Sequence, residues 1–253
     1  MKFNKSIQIT MVAVLFIAIA AYIVYAMASP KSSKSDERCT ELVINIHGAD
    51  DAPFLTSKRI EDELHQGGVY PKGQYLKDVS VRKIIDTMKK DQFIAAINCY
   101  KTANCKVVID VTQRTPVLYI LPDNKQGYYV DADGGIIRNT DYPANLPVAT
   151  GNIDQQFATK CLCYIGAYIV EDEFLNSQIE QIYVKKEPGK QPDIDLVPRV
   201  GQQQIHLGSI ENYAKKLERL KTFYKDGLTS VGWNKYSHID LEYDNQVICK
   251  KTK

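Results

Sequence analysis

"FIAAINCYKTANCKVVIDVTQRTP" occupies residues 93–116. Two runs rich in β-branched and aromatic residues, "FIAAINCY" and "KVVIDVTQ", flank the small and polar "KTAN". Such a pattern predicts a β-hairpin with its turn at 101–104. Upstream, "DVSVRKIIDTMKKD" (78–91) sets Val81, Ile84, Ile85 and Met88 on one stripe, which predicts a helix. Before it, "TSKRIEDELHQGG" (56–68) predicts another. Thr56 or Ser57 can cap that helix, Ile60 and Leu64 share a face, and the two glycines stop it. "ELVINIHG" (41–48) is a strand ending at a glycine. The order is strand, helix, helix, strand, strand, with the helices covering one face of a small sheet. A module of about 70–80 residues has a limited core of its own, so its neighbours support it.

Downstream of "RTP" (114–116) lies a longer, strand-rich region. "GYYVDADGGIIR" (127–138) is a hairpin with Asp/Gly turn chemistry, and "YPANLPVATGN" (142–152) reads as an irregular, Pro-rich crossing. Residues 154–176 look helical, followed by strands in "QIEQIYV", "PDIDLVPRV" and "QQIHLG". "SIENYAKKLERLKTFYKDG" (209–227) is the strongest helix of the region. Ser209 can cap it, Ile210, Tyr213, Leu217, Leu220 and Tyr224 form its apolar stripe, Lys221 and Lys225 suit its last turn, and Gly227 ends it. The chain closes on "YSHIDLEYDNQVICKKTK" (236–253). In steps of two, Ile239, Leu241, Tyr243, Asn245, Val247 and Cys249 share one face. His238, Asp240, Glu242, Asp244, Gln246, Ile248 and Lys250 share the other, which predicts one continuous half-buried strand. Only Lys251, Thr252 and Lys253 follow, so its outer edge is expected to lie uncovered. The fold class is α+β: a mixed or antiparallel sheet with helices on one side.

The N-terminus is of a different kind. From Ile7 to Ala28 only Gln8 and Thr10 are polar. As a helix this run would be roughly 33 Å long, enough for a bilayer core of about 30 Å. A cleaved leader is the rival reading, since Ala26-Met27-Ala28 resembles a cleavage site. Leader cores, however, usually run about 7–15 residues, which favours a retained anchor. Residues 1–6 are then a cytoplasmic tail, 7–28 the span, and the Pro/Ser-rich 29–40 a linker to an exported domain.

Charge is nearly balanced, with 32 basic and 30 acidic residues, and no basic stripe points to nucleic acid. Of the six cysteines, Cys99 and Cys105 flank the predicted turn; they are either a disulfide or two separate thiols. The four histidines show no zinc spacing, and "DADGG" (131–135) lacks the later acidic ligands of a calcium loop, with Tyr142 where its last would stand. "GGVYPKG" is no P-loop, and no nucleophile motif occurs. No cofactor, metal or catalytic residue is predicted. A tethered domain of this kind is more in keeping with a binder than with an enzyme.

The order of parts resembles the bacterial division family FtsQ/DivIB. The matching stretches are "VTQRTPVLYI", "YYVDADGGII", "NLPVATG", "DIDLVPRVGQQQIHLG", "KKLERLKTFYKDGL" and "YSHIDLEYDNQV". The resemblance implies a POTRA domain over 41–115 and a β domain over 116–253. It implies a non-enzymatic scaffold of the divisome, in the inner membrane at the septum with its large part in the periplasm. It also implies that the β domain holds FtsB- and FtsL-like partners and so helps control septal peptidoglycan synthesis. In the family FtsB adds an extended segment along the C-terminal strand. The matching positions are Tyr243, Asp244, Asn245, Gln246, Val247, Ile248 and Cys249, with Tyr243 and Val247 as apolar anchors. The family commonly has a basic residue in "LRY", where this chain has Glu242. The alternatives are another POTRA-bearing chaperone or secreted binding module, and a secreted enzyme with a cleaved leader.

Overall fold

The computed structural model describes residues 5–28, 37–48, 54–123, 125–138, 145–229 and 232–252. The first helix, α1, runs Lys5–Ala28 (24 residues). Side chains are described over 14–25 of it, and all are exposed. Among the described residues, which for side chains take in only 14–25 of α1, no helix is long and apolar enough to cross a membrane.

The first module is built from β1 (Glu41–His47), α2 (Ser57–Gln66), α3 (Val81–Met88), β2 (Ile94–Lys101) and β3 (Lys106–Gln113). The sheet order is β1-β3-β2. β2 and β3 form the expected antiparallel hairpin, and the two helices carry the chain across so that β1 lies parallel to β3. Thr56 caps α2 by accepting from the Arg59 N–H, and Ser80 caps α3 by accepting from Lys83. Ile60 and Leu64 of α2, Ile84 and Met88 of α3, and Val107, Ile109 and Val111 of β3 have no exposed surface. Burial of each such side chain is worth about 1.5–3 kcal/mol, and together they fix the helices on one face. Cys99 stands opposite Ile109, not Cys105, and no disulfide joins any of the six cysteines. Cys105 sits in the turn with φ 57°, so its Cβ does not face Cys99 across the ladder.

The second module has strands β4 (Pro116–Pro122), β5 (Tyr128–Asp131), β6 (Ile136–Ile137), β7 (Val148–Gly151), β8 (Ile179–Lys185), β9 (Asp193–Pro198), β10 (Gln204–Gly208), β11 (Tyr236–Asp240) and β12 (Ile248–Lys251). They form one nine-stranded sheet in the order β12-β11-β10-β9-β8-β7-β4-β5-β6. The pairs β4/β7, β7/β8 and β10/β11 are parallel and the others antiparallel, so the sheet is mixed. The segment 142–152 corrects its sequence reading: its second half is strand β7, held between β4 and β8.

Helices α4 (Gln155–Phe157), α5 (Cys163–Glu171) and α6 (Glu173–Gln178) follow β7, with a π-helical turn Ala158–Leu162 between the first two. α7 (Tyr213–Thr222) continues as a π-helical turn Phe223–Leu228. Leu162, Ile165, Ile169, Leu175, Leu217, Leu220 and Tyr224 bury in one core with Leu118, Ile182, Leu196, Leu207 and Ile239 of the sheet. Gly166 lets α5 approach β4: a Cβ there would stand 2.9 Å from the Leu118 Cβ. Two expectations for α7 fail. It starts at Tyr213 because Asn212 is left-handed (φ 55°), and the Ser209 hydroxyl and carbonyl accept from Lys216 Nζ without capping the helix. Gly227 lies inside the π-helical turn and does not end it.

"RTP" joins the modules. The Arg114 guanidinium pairs with the buried Asp131 carboxylate, and its Nε donates to Gln92 O (3.0 Å). The other Asp131 oxygen accepts from the Asp133 and Gly135 N–H groups, which closes the "DADGG" turn. Gln92 and Arg138 exchange two further bonds of 2.9 Å each.

Candidate docking edge at the terminal hairpin

The final stretch folds back on itself. β11 and β12 pair antiparallel, with His238 opposite Lys250, Ile239 opposite Cys249 and Asp240 opposite Ile248. The continuous strand expected over 236–250 is therefore corrected to a hairpin, and Tyr243, Asp244, Asn245, Gln246 and Val247 lie outside any strand. Asn245 at φ 59° supplies the left-handed residue that the reversal needs, a conformation Asn tolerates better than most side chains. Two of the seven predicted positions, Ile248 and Cys249, are in β12, which borders the sheet.

The ladder says which peptide groups of β12 face outward. Leu241 N–H donates to His206 O, so residues 239 and 241 turn their peptide groups toward β10. Residues 238 and 240 then turn theirs toward β12, where they meet Lys250 and Ile248. Two contacts agree: Thr252 N–H donates to Lys235 O (3.0 Å), and the Ser237 hydroxyl donates to Lys250 O. The N–H and C=O of Cys249 and Lys251 accordingly point away from the sheet. Among the described residues no strand pairs with that side.

The turn is pinned from α7. Arg219 Nη2 donates to Leu241 O (2.7 Å) and Tyr243 O (3.0 Å), and Nη1 lies 3.9 Å from Asp244. Between α7 and the turn is a groove of 640 Å³ lined by residues including Lys215, Arg219, Phe223, Asp244 and Val247. Val247 and Cys249 pack against the core, while Tyr243 and Ile248 are about half exposed. Of the two expected anchors, Tyr243 is thus open to a partner and Val247 is partly spent on the fold. Glu242 lies over Gly208, where a Cβ would meet its Cγ at 3.0 Å.

Sequence spacing missed a polar group on the same part of the sheet. His206 of β10 meets Asp195 of β9 through Nδ1 (2.9 Å), and its Nε2 lies 3.6 Å from Asp193 and 3.5 Å from Glu242. Burial alone would raise the Asp195 carboxyl, but bonds from Lys185, His206 and Gln204 hold it below the usual range. For His206, burial favours the neutral ring, and the bond to Asp195 and the charges of Asp193, Asp195 and Asp240 outweigh it, so the imidazole titrates above its ordinary value. Asp193, Asp195 and His206, and likewise His206, Asp240 and Glu242, bring ligand atoms within 4.8 Å of one another, so these are the residues that could hold a cation. The first set is already engaged by the Lys185 ammonium. The residues are far apart in sequence, and only the cross-strand register, which sets His206 beside Asp240, could have revealed them.

Comparison with known proteins agrees with this architecture. A sequence family described as "FtsQ/DivIB, C-terminal related" matches residues 115–250, and one described as "POTRA-like domain" matches residues 37–112. The cell division protein FtsQ of Geotalea daltonii is 24% identical over 191 residues. That alignment takes in 71% of this chain and 66% of the relative, so the chain spans just under two thirds of the relative's length. The first match covers more than half of the 253 residues and takes in the sheet from β4 to the middle of β12. Together with the POTRA-like match ahead of it, it establishes that the chain belongs to the FtsQ/DivIB family.

Proposed function

We propose that this protein is a non-enzymatic scaffold of bacterial cell division, and that β12 is the edge along which an FtsB-like partner, paired with an FtsL-like one, lays an extended segment. α1 would anchor the chain in the inner membrane and the two modules would stand in the periplasm at the septum. Through its partners the scaffold helps control septal peptidoglycan synthesis. The observation that carries the reading is the pair of outward-facing peptide groups at Cys249 and Lys251 on the border strand. Lys250 and Lys251, both exposed, discourage two copies from pairing edge to edge and leave the site to a heterologous strand. Support for the anchor comes from the exposed side chains at 14–25, which are apolar throughout apart from the hydroxyls of Tyr22 and Tyr25.

Photo-crosslinking in dividing cells tests the docking edge. A benzophenone side chain at Ile248 is expected to capture an FtsB- or FtsL-like protein, whereas one at Lys89, beyond α3, is not. Adducts to that pair from positions on β1 or β8, with none from Ile248 or Lys250, would overturn the assignment.

A further inference from the structure

Asp193 of β9, His206 of β10, Asp240 of β11 and Glu242 at the start of the terminal turn meet on one face of the sheet. The His206 ring is oriented from behind. Its Nδ1 lies 2.9 Å from Oδ1 of Asp195, a carboxylate that is almost wholly buried and whose other oxygen accepts from Lys185 and Gln204. That partner keeps the ring proton on Nδ1 and turns the lone pair of Nε2 away from the buried side, the arrangement that metal-binding histidines commonly have. There Nε2 faces Asp193 Oδ1 at 3.6 Å and Glu242 Oε2 at 3.5 Å. Asp240, paired with His206 in the β10/β11 register, brings a carboxylate oxygen within 4.8 Å of the ligand atoms of His206 and Glu242. Gly208 leaves the room for this: a Cβ there would meet the Glu242 Cγ at 3.0 Å, so the glycine lets the glutamate stem lie along the sheet toward His206.

The spacing fits a shared cation better than direct hydrogen bonds. A charge-assisted N–H···O bond closes to about 2.7–2.9 Å, and both Nε2 contacts are longer. Two ligands held at about 2.0–2.2 Å from a tetrahedral ion stand about 3.3–3.6 Å apart, which is the separation seen. The charge is also unbalanced. Among the described residues no lysine or arginine forms an ion pair with Asp193, Asp240 or Glu242. Lys185 and Lys216, whose charges reach Asp193 and Glu242, are committed elsewhere, the first to Asp195 and the second to the Leu207 and Ser209 carbonyls. Three carboxylates and an imidazole lone pair therefore converge as acceptors with no donor among them. Asp193 and Glu242 are partly exposed, so an ion can enter from solvent and keep water on its open side.

We infer that Asp193, His206, Asp240 and Glu242 form a binding site for a divalent transition cation of the Zn2+ type, with Asp195 orienting the imidazole. The imidazole nitrogen selects for such ions, since Mg2+ and Ca2+ take oxygen ligands. The ion ties β9, β10 and β11 to the residue that opens the terminal turn. This site stands independently of the docking reading above.

The test uses the full chain in lipid nanodiscs, without partner and stripped of metal by a chelator. Titration calorimetry with ZnCl2 is expected to show one saturable site, and the unfolding midpoint should rise with added Zn2+ but not with MgCl2 or CaCl2. Co2+ in place of Zn2+ should give visible d–d bands without thiolate charge transfer, because no cysteine is among the ligands. Glu242→Gln and Asp193→Asn change partly exposed side chains, and each is expected to weaken Zn2+ binding by at least about tenfold. His206→Gln should abolish it, with exchange protection of β8 reporting whether that variant keeps its fold. His65→Gln, in the first module, should leave it unchanged. Absence of saturable binding, a Co2+ spectrum dominated by thiolate charge transfer, or an affinity that Glu242→Gln and Asp193→Asn leave unaltered would overturn the site and mean an adventitious ion only. A response to Mg2+ or Ca2+ as large as that to Zn2+ would overturn the imidazole as a ligand.

Discussion

Two adjacent lysines in β12 separate the proposed docking edge from the fold. Lys251 points its N–H outward and Lys250 points its N–H at β11, opposite His238. The N–H and C=O groups of Cys249 and Lys251 give a docked strand four hydrogen-bonding groups, worth about 2–6 kcal/mol net. Lys251→Pro removes one donor and leaves a partner carbonyl facing the ring, a loss of about 1–3 kcal/mol. Capture of the FtsB/FtsL-like pair should weaken about 5- to 150-fold. The Lys251 side chain is exposed and its N–H bonds to nothing within the sheet, so thermal unfolding should not change. Lys250→Pro should do the reverse in the free chain, because it deletes a bond to β11 and frees the hairpin, seen as lost exchange protection over 236–252. Titration calorimetry on the full chain in nanodiscs reads the first effect, and hydrogen exchange over 236–252 beside thermal unfolding reads the second. Wild-type affinity for a folded Lys251→Pro variant would refute docking along β12. A stable Lys250→Pro variant beside an unfolded Lys251→Pro one would refute the assignment of inward and outward groups.

Other expectations follow from single contacts. Arg219→Ala frees the Leu241 and Tyr243 carbonyls, so protection of the turn and capture of partner should both fall while the core transition stays within a few degrees. Gly151→Ala would place a Cβ 2.3 Å from Val184 O at φ 100°, and a loss of about 1–3 kcal/mol should appear as a lower unfolding midpoint. Cys99 is buried, which pushes its thiol up to about 11, so at pH 8 iodoacetamide should leave it unmodified in the folded chain while labelling the more open Cys105. Mass spectrometry of tryptic peptides checks this, and equal labelling of the two would contradict the burial.

The parts that could be foreseen were those with local causes. Thr56 and Ser80 cap helices whose stripes, Ile60/Leu64 and Ile84/Met88, recur at helical spacing, and the β2–β3 hairpin announces its own turn. β7 could not be foreseen in the same way. It is four residues long and owes its conformation to β4 and β8, which lie far from it in sequence. The terminal stretch misled because its alternation continues through a turn. Leu241, Val247 and Cys249 do face the core as the pattern predicts, yet Tyr243 between them is 52% exposed. Asp244 and Asn245 were the available signal, since both residue types favour reversals. The open edge was legible nonetheless, moved onto Ile248–Lys251. The His206 group was not, because it exists only once four strands are in register.

The strand order has a consequence for traffic around the molecule. β12 closes one end of the nine-strand sheet, whereas Arg138 beside β6 and Asp131 of β5 tie the other end to the first module. At about 4.8 Å per strand the two ends are separated by roughly 38 Å. A strand added at β12 would lengthen the sheet at the end opposite its contacts with the POTRA-like module. On the proposed reading, a partner docked at β12 and one bound to the first module would stand at opposite ends of the sheet.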